Sequence, residues 1–180
     1  GIGIGGLKPG HGAVLEISAK ALFADNVVEG NGGHGIKVDN TSDVAIWNNT
    51  FVGNGRNINL VQDPRRYGDG SPGVDPRLPG DPTMTWLLGP VVVANNVIAN
   101  PASGNCLLCV EDFSGERTAE EIGVTADGNV YNRPSTDAPE WVVVWSRAAD
   151  DPAVFTTLDA FRSVREVAAF SSFFDGRGTE

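Results

Sequence analysis

The sequence is poor in cysteine, methionine, tyrosine and positive charge. Thirteen Lys and Arg stand against 23 Asp and Glu, for a formal charge of −10 and a sequence pI near 4.5. That balance argues against nucleic acid as a partner and against an anionic membrane surface. It argues only mildly against an acidic polysaccharide, because binding there depends on local charge. No apolar run is long enough to span a bilayer, and no signal peptide is visible. Phosphate loops, zinc-type spacings and nucleophile elbows are missing too. The two cysteines, Cys106 and Cys109, form a Cys-x-x-Cys with no second ligand pair. They fall in an expected strand, where positions i and i+3 point to opposite faces, so we expect structural residues there and not a zinc or redox pair. Helical periodicity is scarce, whereas glycine is abundant at 23 residues. Both point to an all-β chain, and 180 residues suit one domain with a sizeable core.

What is present is a repeat. Gly35–Asn54, GIKVDNTSDVAIWNNTFVGN, holds three short apolar runs separated by corners of Asp, Asn, Ser and Gly. Ile36/Val38 and Val44/Ile46 alternate with polar neighbours, the period of a strand with one buried face. The second corner, Asn48-Asn49-Thr50-Phe51-Val52-Gly53-Asn54, recurs 23 residues earlier as Asp25-Asn26-Val27-Val28-Glu29-Gly30-Asn31. It recurs again at Asn95-Asn96-Val97-Ile98-Ala99-Asn100, with Asn96 47 residues after Asn49, and more weakly at Asp127-Gly128-Asn129-Val130-Tyr131-Asn132. The longer interval implies a skipped coil or an inserted loop. A tight corner needs positive φ, which Asn tolerates. Stacked corners would bring successive Asn amides about 4.8 Å apart, in hydrogen-bonding reach.

On these residues the chain resembles the right-handed parallel β-helix proteins of pectate-lyase-like architecture, over roughly residues 11–145. The resemblance implies an all-β solenoid with the four asparagines on one axis. The fold class hosts lyases, hydrolases, epimerases, adhesins and phage tail proteins, so it leaves function open.

One domain is expected over 1–180, with coils in 1–155, a loop inserted at 62–90, and a C-terminal cap in 156–180. Gly1–Leu7 reads as a strand with no cap before it. The expectation is therefore the C-terminal part of a longer or processed chain, with an upstream segment or a partner chain over the first coil. Strands of a first face are expected at Ile36–Val38, Asn57–Val61, Cys106–Val110 and Trp141–Trp145. Strict alternation points Ile36, Val38, Ile58, Leu60, Val142 and Val144 inward. It points Lys37, Asn57, Asn59, Trp141, Val143 and Trp145 outward. Gln62–Pro90 holds six of the eleven prolines and reads as a long functional loop. Shorter insertions follow at Glu111–Glu121 and Arg133–Glu140. Thr156 is expected to cap a helix over 156–168, which closes the end together with Phe170, Phe173 and Phe174.

The candidate chemistry gathers beyond the first-face strands. Asp39, Asp63, Glu111 and Asp112 are carboxylates at strand ends, where adjacent coils give roughly the spacing of glycosidase pairs. Turn capping is the competing role for each. Arg56, Arg65, Arg66 and Arg77 lie in or beside the large loop of an acidic protein. A β-eliminating lyase would use such cations, with Lys37, to neutralise a uronate carboxylate and to tune a base. Pairing with Asp63, Asp69 and Asp75 is their alternative. His34, in Gly33-His34-Gly35, resembles the Gly-His-Gly of polygalacturonases, but His11 repeats the tripeptide one coil earlier and favours a corner role for both. Trp141, Trp145, Trp86 and Tyr67 are candidate sugar platforms. Calcium is conceivable at the Asp-rich insertion without a ligand motif to support it.

The sequence thus leads us to expect an extracellular carbohydrate-active protein. It would be a polysaccharide lyase or glycoside hydrolase working in a groove over the first face. Asp63 would act as acid or base, Arg65, Arg66 and Lys37 would assist, and Asn59, Trp141, Trp145, Tyr67 and His34 would bind. The alternative is a non-catalytic adhesion, surface or tail-like module.

Overall fold

A computed structural model describes residues 10–67, 84–135, 138–148, 151–164 and 171–175. Its strands form three sheets. The first contains β1 (Ala13–Glu16), β4 (His34–Asp39), β7 (Arg56–Gln62), β10 (Cys106–Asp112), β13 (Trp141–Trp145) and β14 (Ala153–Phe155), in that order. The second runs β2 (Ala19–Ala24), β5 (Ser42–Trp47), β8 (Val91–Ala94), β11 (Val124–Asp127). The third runs β3 (Val27–Glu29), β6 (Thr50–Val52), β9 (Val97–Ala99), β12 (Val130–Arg133), β15 (Ser172–Asp175). Every strand pair is parallel except β13 with β14. From β1 to β9 the chain visits the three sheets in rotation, and each visit adds the next strand to the growing edge. We call one such set of three strands a rung.

Corners of a defined chemistry hold the rungs in register. Asn26 donates its backbone N–H and its Nδ2 to Asn49 Oδ1, both at 3.0 Å. Asn49 does the same to Asn96, and Asn96 to Asn129, at 2.9 and 3.0 Å in each case. Ser171 Oγ accepts from the Asn129 N–H and ends the ladder. All four expected amides therefore lie in one continuous series. Positive φ falls one residue earlier than expected, at Asp25, Asn48, Asn95 and Gly128. The ladder Asn itself is left free to use its amide. Asn49 bonds Asn96 directly, so the 47-residue interval from one to the other contains an inserted loop and not a skipped rung. Residues 68–83 of that loop, with Asp69, Asp75 and Arg77, lie outside the described residues, as do Gly1–Leu7, Arg165 and Phe170.

The core lies between the sheets. Ile36, Val38, Ile46, Phe51, Ile58, Leu60, Val93 and Ile98 are fully buried. Strict alternation fails on the first sheet. Leu107 and Leu108 are neighbours in sequence, yet both belong to this core, as do Val142 and Val143. Cys106, Cys109 and Val144 form a separate cluster with Trp141 against it. Cys106 and Cys109 are joined by a disulfide, with Cα atoms 5.9 Å apart. Three residues of extended strand would span about 10 Å. The strands of this sheet therefore bend after their first residue, in the order out, in, in, out, in. The bend reverses three expected directions, because Val143 and Trp145 face the core and Val144 faces outward, and it puts Cys109 on the same side as Cys106 instead of the opposite one. Asn57 also turns inward, where its Nδ2 donates to Ala99 O.

The C-terminal region closes the opposite end with different parts from those expected. The helix α2 covers Leu158–Val164 and is capped by Thr157, whose Oγ1 accepts the Ala160 N–H. Thr156 is not the cap. Phe173 and Phe174 belong to β15, which continues the third sheet beyond β12. The Glu111–Glu121 insertion is not all loop. It contains the start of a short helix, α1 (Ala119–Ile122), with a capping box between Thr118 and Glu121.

Candidate functional site

The bend brings residues i and i+3 of each first-sheet strand to the same outer side. Arg56 Nη1 reaches Asn59 Oδ1 at 3.2 Å for this reason, just as Cys106 meets Cys109. Three outer columns result. The first holds His11, His34 and Arg56, and register carries it on to Cys106 and Trp141. The second holds Val14, Lys37, Asn59, Cys109 and Val144. The third holds Glu16, Asp39, Val61 and Glu111.

Polar groups crowd the half nearer the N-terminus. Lys37 Nζ pairs with Asp39 Oδ2 at 2.7 Å. Arg65, two residues past Asp63, folds back over the strand ends. Its Nη2 lies 2.8 Å from Glu16 Oε1 and 3.5 Å from Asp39 Oδ2, and its Nε lies 2.6 Å from Asp63 Oδ2. Asp63 also accepts from Asn40 Nδ2 at 2.6 Å, and Gln62 Nε2 braces Asn40 Oδ1 from the far side. Arg56 pairs with Glu111 Oε2 at 2.7 Å, and Arg66 with Glu116 Oε2 at 2.6 Å. Each of these four cations is thus matched by a carboxylate of the chain.

The carboxylates differ in what the fold does to them. Burial pushes the Asp39 carboxyl above its ordinary value, against the pull of the Lys37 hydrogen bond and charge. Its Oδ1 is buried without a hydrogen-bond partner. Burial would raise Asp63 as well, but hydrogen bonds from the Arg65 backbone, the Arg65 side chain and Asn40 outweigh it and hold that carboxyl below the usual range. Asp63 is therefore a fixed anion, poorly suited to exchanging a proton. Asp112 accepts the backbone N–H groups of Ser114, Glu116 and Arg117 and serves the turn.

The histidines stack, with ring centroids 4.6 Å apart and planes 11° from parallel. His11 Nδ1 accepts the His34 backbone N–H at 2.9 Å, which fixes its free electron pair on the strand edge. Gly33 makes room for this, because a Cβ there would stand 2.6 Å from His11 Nδ1. Desolvation first, then the charges of His11, Arg56 and Lys37, bring His34 down to about 4, so the ring is neutral at physiological pH.

The structure brings Lys37, Asp63, Arg65, Asn59 and His34 to this one face, with Arg66 at its border. Of the aromatic candidates it brings only Trp141 to the outer side of this sheet, as expected, but on the apolar half and away from the polar groups. Trp145 is fully buried, packs edge-on against Phe161 and donates Nε1 to Glu120. It cannot be a sugar platform. Trp86 is buried in turn, with Tyr67 edge-on against it at 6.1 Å. Trp141 covers the disulfide. Sequence reasoning missed Glu16, although it stands 23 residues before Asp39, the interval already given by Asn26 and Asn49.

Among the described residues no group of three or more His, Cys, Asp or Glu side chains could hold a metal ion. The Asp-rich part of the insertion lies outside them. No helix of the described residues is long and apolar enough to cross a membrane. No known protein family, no curated protein and no solved structure matches the chain.

Proposed function

We propose that the chain is a right-handed parallel β-helix of pectate-lyase-like architecture. We further propose that it acts outside the cell as a glycoside hydrolase on a polysaccharide laid across the outer face of the first sheet. Parallel strands visited in rotation and the stacked Asn amides support the architecture, and parallel crossovers are overwhelmingly right-handed. The Cys106–Cys109 disulfide supports an oxidising compartment.

One observation carries the activity: a band of partly buried donors and acceptors surrounds a buried carboxyl of raised pKa. Such a carboxyl is suited to holding a proton that a leaving sugar oxygen takes. Asp39 has this role, and Glu16, which is 48% exposed across Arg65 from it, is the carboxylate that meets water. Lys37 and Arg56 supply hydrogen bonds to hydroxyls, and Asn59, buried beneath them, holds Arg56 in place.

Hydrolysis is favoured over β-elimination by charge. A lyase needs a cation to neutralise the uronate carboxylate, and here Arg56, Arg65 and Arg66 already carry resident carboxylates. With Glu16 also present, an anionic chain would displace paired anions. A neutral polysaccharide would not.

Reducing-end and unsaturated-product assays across neutral and uronate polysaccharides test this. The expected result is new reducing ends from a neutral substrate, without unsaturated product. Asp39→Asn should lower turnover about 10²- to 10⁴-fold with little change in melting temperature. Unsaturated product, or full activity in Asp39→Asn, defeats the reading.

A further inference from the structure

The Cys106–Cys109 disulfide is not needed for the bend it spans. In β7 the same two positions are Arg56 and Asn59, joined by a hydrogen bond of 3.2 Å. In β13 they are Trp141 and Val144, and Val142 and Val143 still enter the core together. The strand backbone therefore takes this shape with or without a covalent tie. The tie also adds little by restricting the unfolded chain. Stabilisation of that kind grows with the length of the closed loop, and here the two ends are three positions apart.

The surroundings suit the reduced pair as well as the oxidised one. Cys106, Cys109 and Val144 are at most 1% exposed and form an apolar cluster, in which thiols pack as small apolar side chains. Asn105 Oδ1 lies 3.4 Å from Cys106 Sγ, an acceptor in place for a thiol proton. Two thiol sulfurs cannot stay as close as bonded ones, so opening the bond drives them apart. Beneath them Leu107 and Leu108 are fully buried in the core. Trp141, the register partner of Cys106 on β13, is the one partly buried side chain packed against the cluster. The movement is taken up there.

We infer that Cys106 and Cys109 form a reversible redox centre that opens and closes within the folded chain, with Trp141 as its cover. This departs from the purely structural role expected of these cysteines, and it does not depend on the proposed hydrolysis. The reductant is a dithiol. One of its thiolates attacks a sulfur of the pair, and the S–S bond breaks as a mixed disulfide forms. Its second thiolate then displaces the protein sulfur. Cys106 and Cys109 gain two electrons and two protons as thiols, and the dithiol leaves as its own disulfide. Trp141 shields both sulfurs from the first attack and is displaced outward once they are reduced.

The probe is dithiothreitol, applied to the folded protein without denaturant. Thiols are counted with a chromogenic thiol reagent after the dithiol is removed, alongside far-UV circular dichroism and tryptophan fluorescence. The expected result is two thiols per chain with an unchanged dichroism spectrum. Fluorescence should rise, because a disulfide quenches an indole in contact with it, and Trp141→Phe should abolish the rise. Trp141→Ala, or Trp141→Val if the alanine variant does not fold, should speed reduction about tenfold or more. Oxidised glutathione should then remove the thiols and restore the quenched signal. Thiols that appear only as the dichroism signal is lost overturn the inference. So do fluorescence unchanged on reduction, a rate indifferent to the loss of Trp141, or a pair that does not re-form its bond.

Discussion

The outer face of the first sheet has two halves built on one backbone geometry. On β1, β4 and β7 its columns hold His11, His34, Lys37, Asp39, Arg56 and Asn59. On β10 and β13 the first two of those columns hold Cys106, Cys109, Val144 and Trp141. The bend places side chains identically in both. Ion pairs and amide bonds hold one half, and a disulfide with buried apolar surface holds the other. Register therefore decides which residues meet, and composition decides what they do on meeting. The polar half alone, among the described residues, holds a carboxyl, Asp39, with a buried oxygen that lacks a hydrogen-bond partner.

The largest effect that separates the halves lies under the apolar one. Trp145 fills the core beneath β13, between Phe161 and the neighbouring strands. Trp145→Ala should cost about 3–5 kcal/mol in urea denaturation. The loss should hardly change in molar salt, because it comes from lost packing. A strongly salt-dependent loss would mean that the Nε1 bond to Glu120 matters more than the packing.

The counterpart in the polar half is Arg65, which alone touches Glu16, Asp39 and Asp63. Its guanidinium is 23% exposed, so the cost expected of a fully buried pair must be reduced. Arg65→Ala should destabilise by about 2 kcal/mol, and by clearly less at high salt. A loss as salt-insensitive as that of Trp145→Ala would remove the distinction drawn between the halves.

The contrast also separates what could be read in the sequence from what could not. The Asn corners were legible because their function is chemical. The Asn side chain donates through Nδ2 while it accepts through Oδ1 at each step, so Asn26, Asn49, Asn96 and Asn129 recur at fixed places. They led to the parallel rungs, to the first-sheet strands, and to Lys37, Asp63 and Arg65 on one face. The bend was not legible. Leu107-Leu108 and Val142-Val143 are consecutive apolar residues, which a strand of period two cannot bury together. Counting by twos therefore sent Trp145 outward and Val144 inward. The cysteines were placed on opposite faces by the same count. The state of each carboxyl was also beyond the sequence, because Asp39 and Asp63 look alike until Asn40 and the Arg65 backbone are seen to bond only Asp63.

Acid should produce the smallest effect, and its sign follows from the groups on the polar half. The disulfide-bonded cysteines do not titrate, so the apolar half is silent. His34 ordinarily titrates at 6.5 and is brought to about 4 in the fold. Between those values the unfolded chain binds more protons than the folded one, so stability falls with falling pH. The contribution is complete above about 6.5, erodes below it and is gone near 4. Asp63, held low, adds a loss of the same sign further down, in the carboxylate range. Asp39, held high, has the opposite sign. Its contribution is present at low pH and is lost as pH rises through its folded value, so it offsets part of the Asp63 loss. The first decline on acidification therefore belongs to the histidine stack. Allowing for solvent screening of a half-buried pair, its size should be about 1 kcal/mol. His34→Gln should flatten the stability curve above pH 5 while leaving the carboxylate region in place. A curve unchanged by that substitution would show that the stack does not couple to protons, and that the polar half answers to acid through its carboxyls alone.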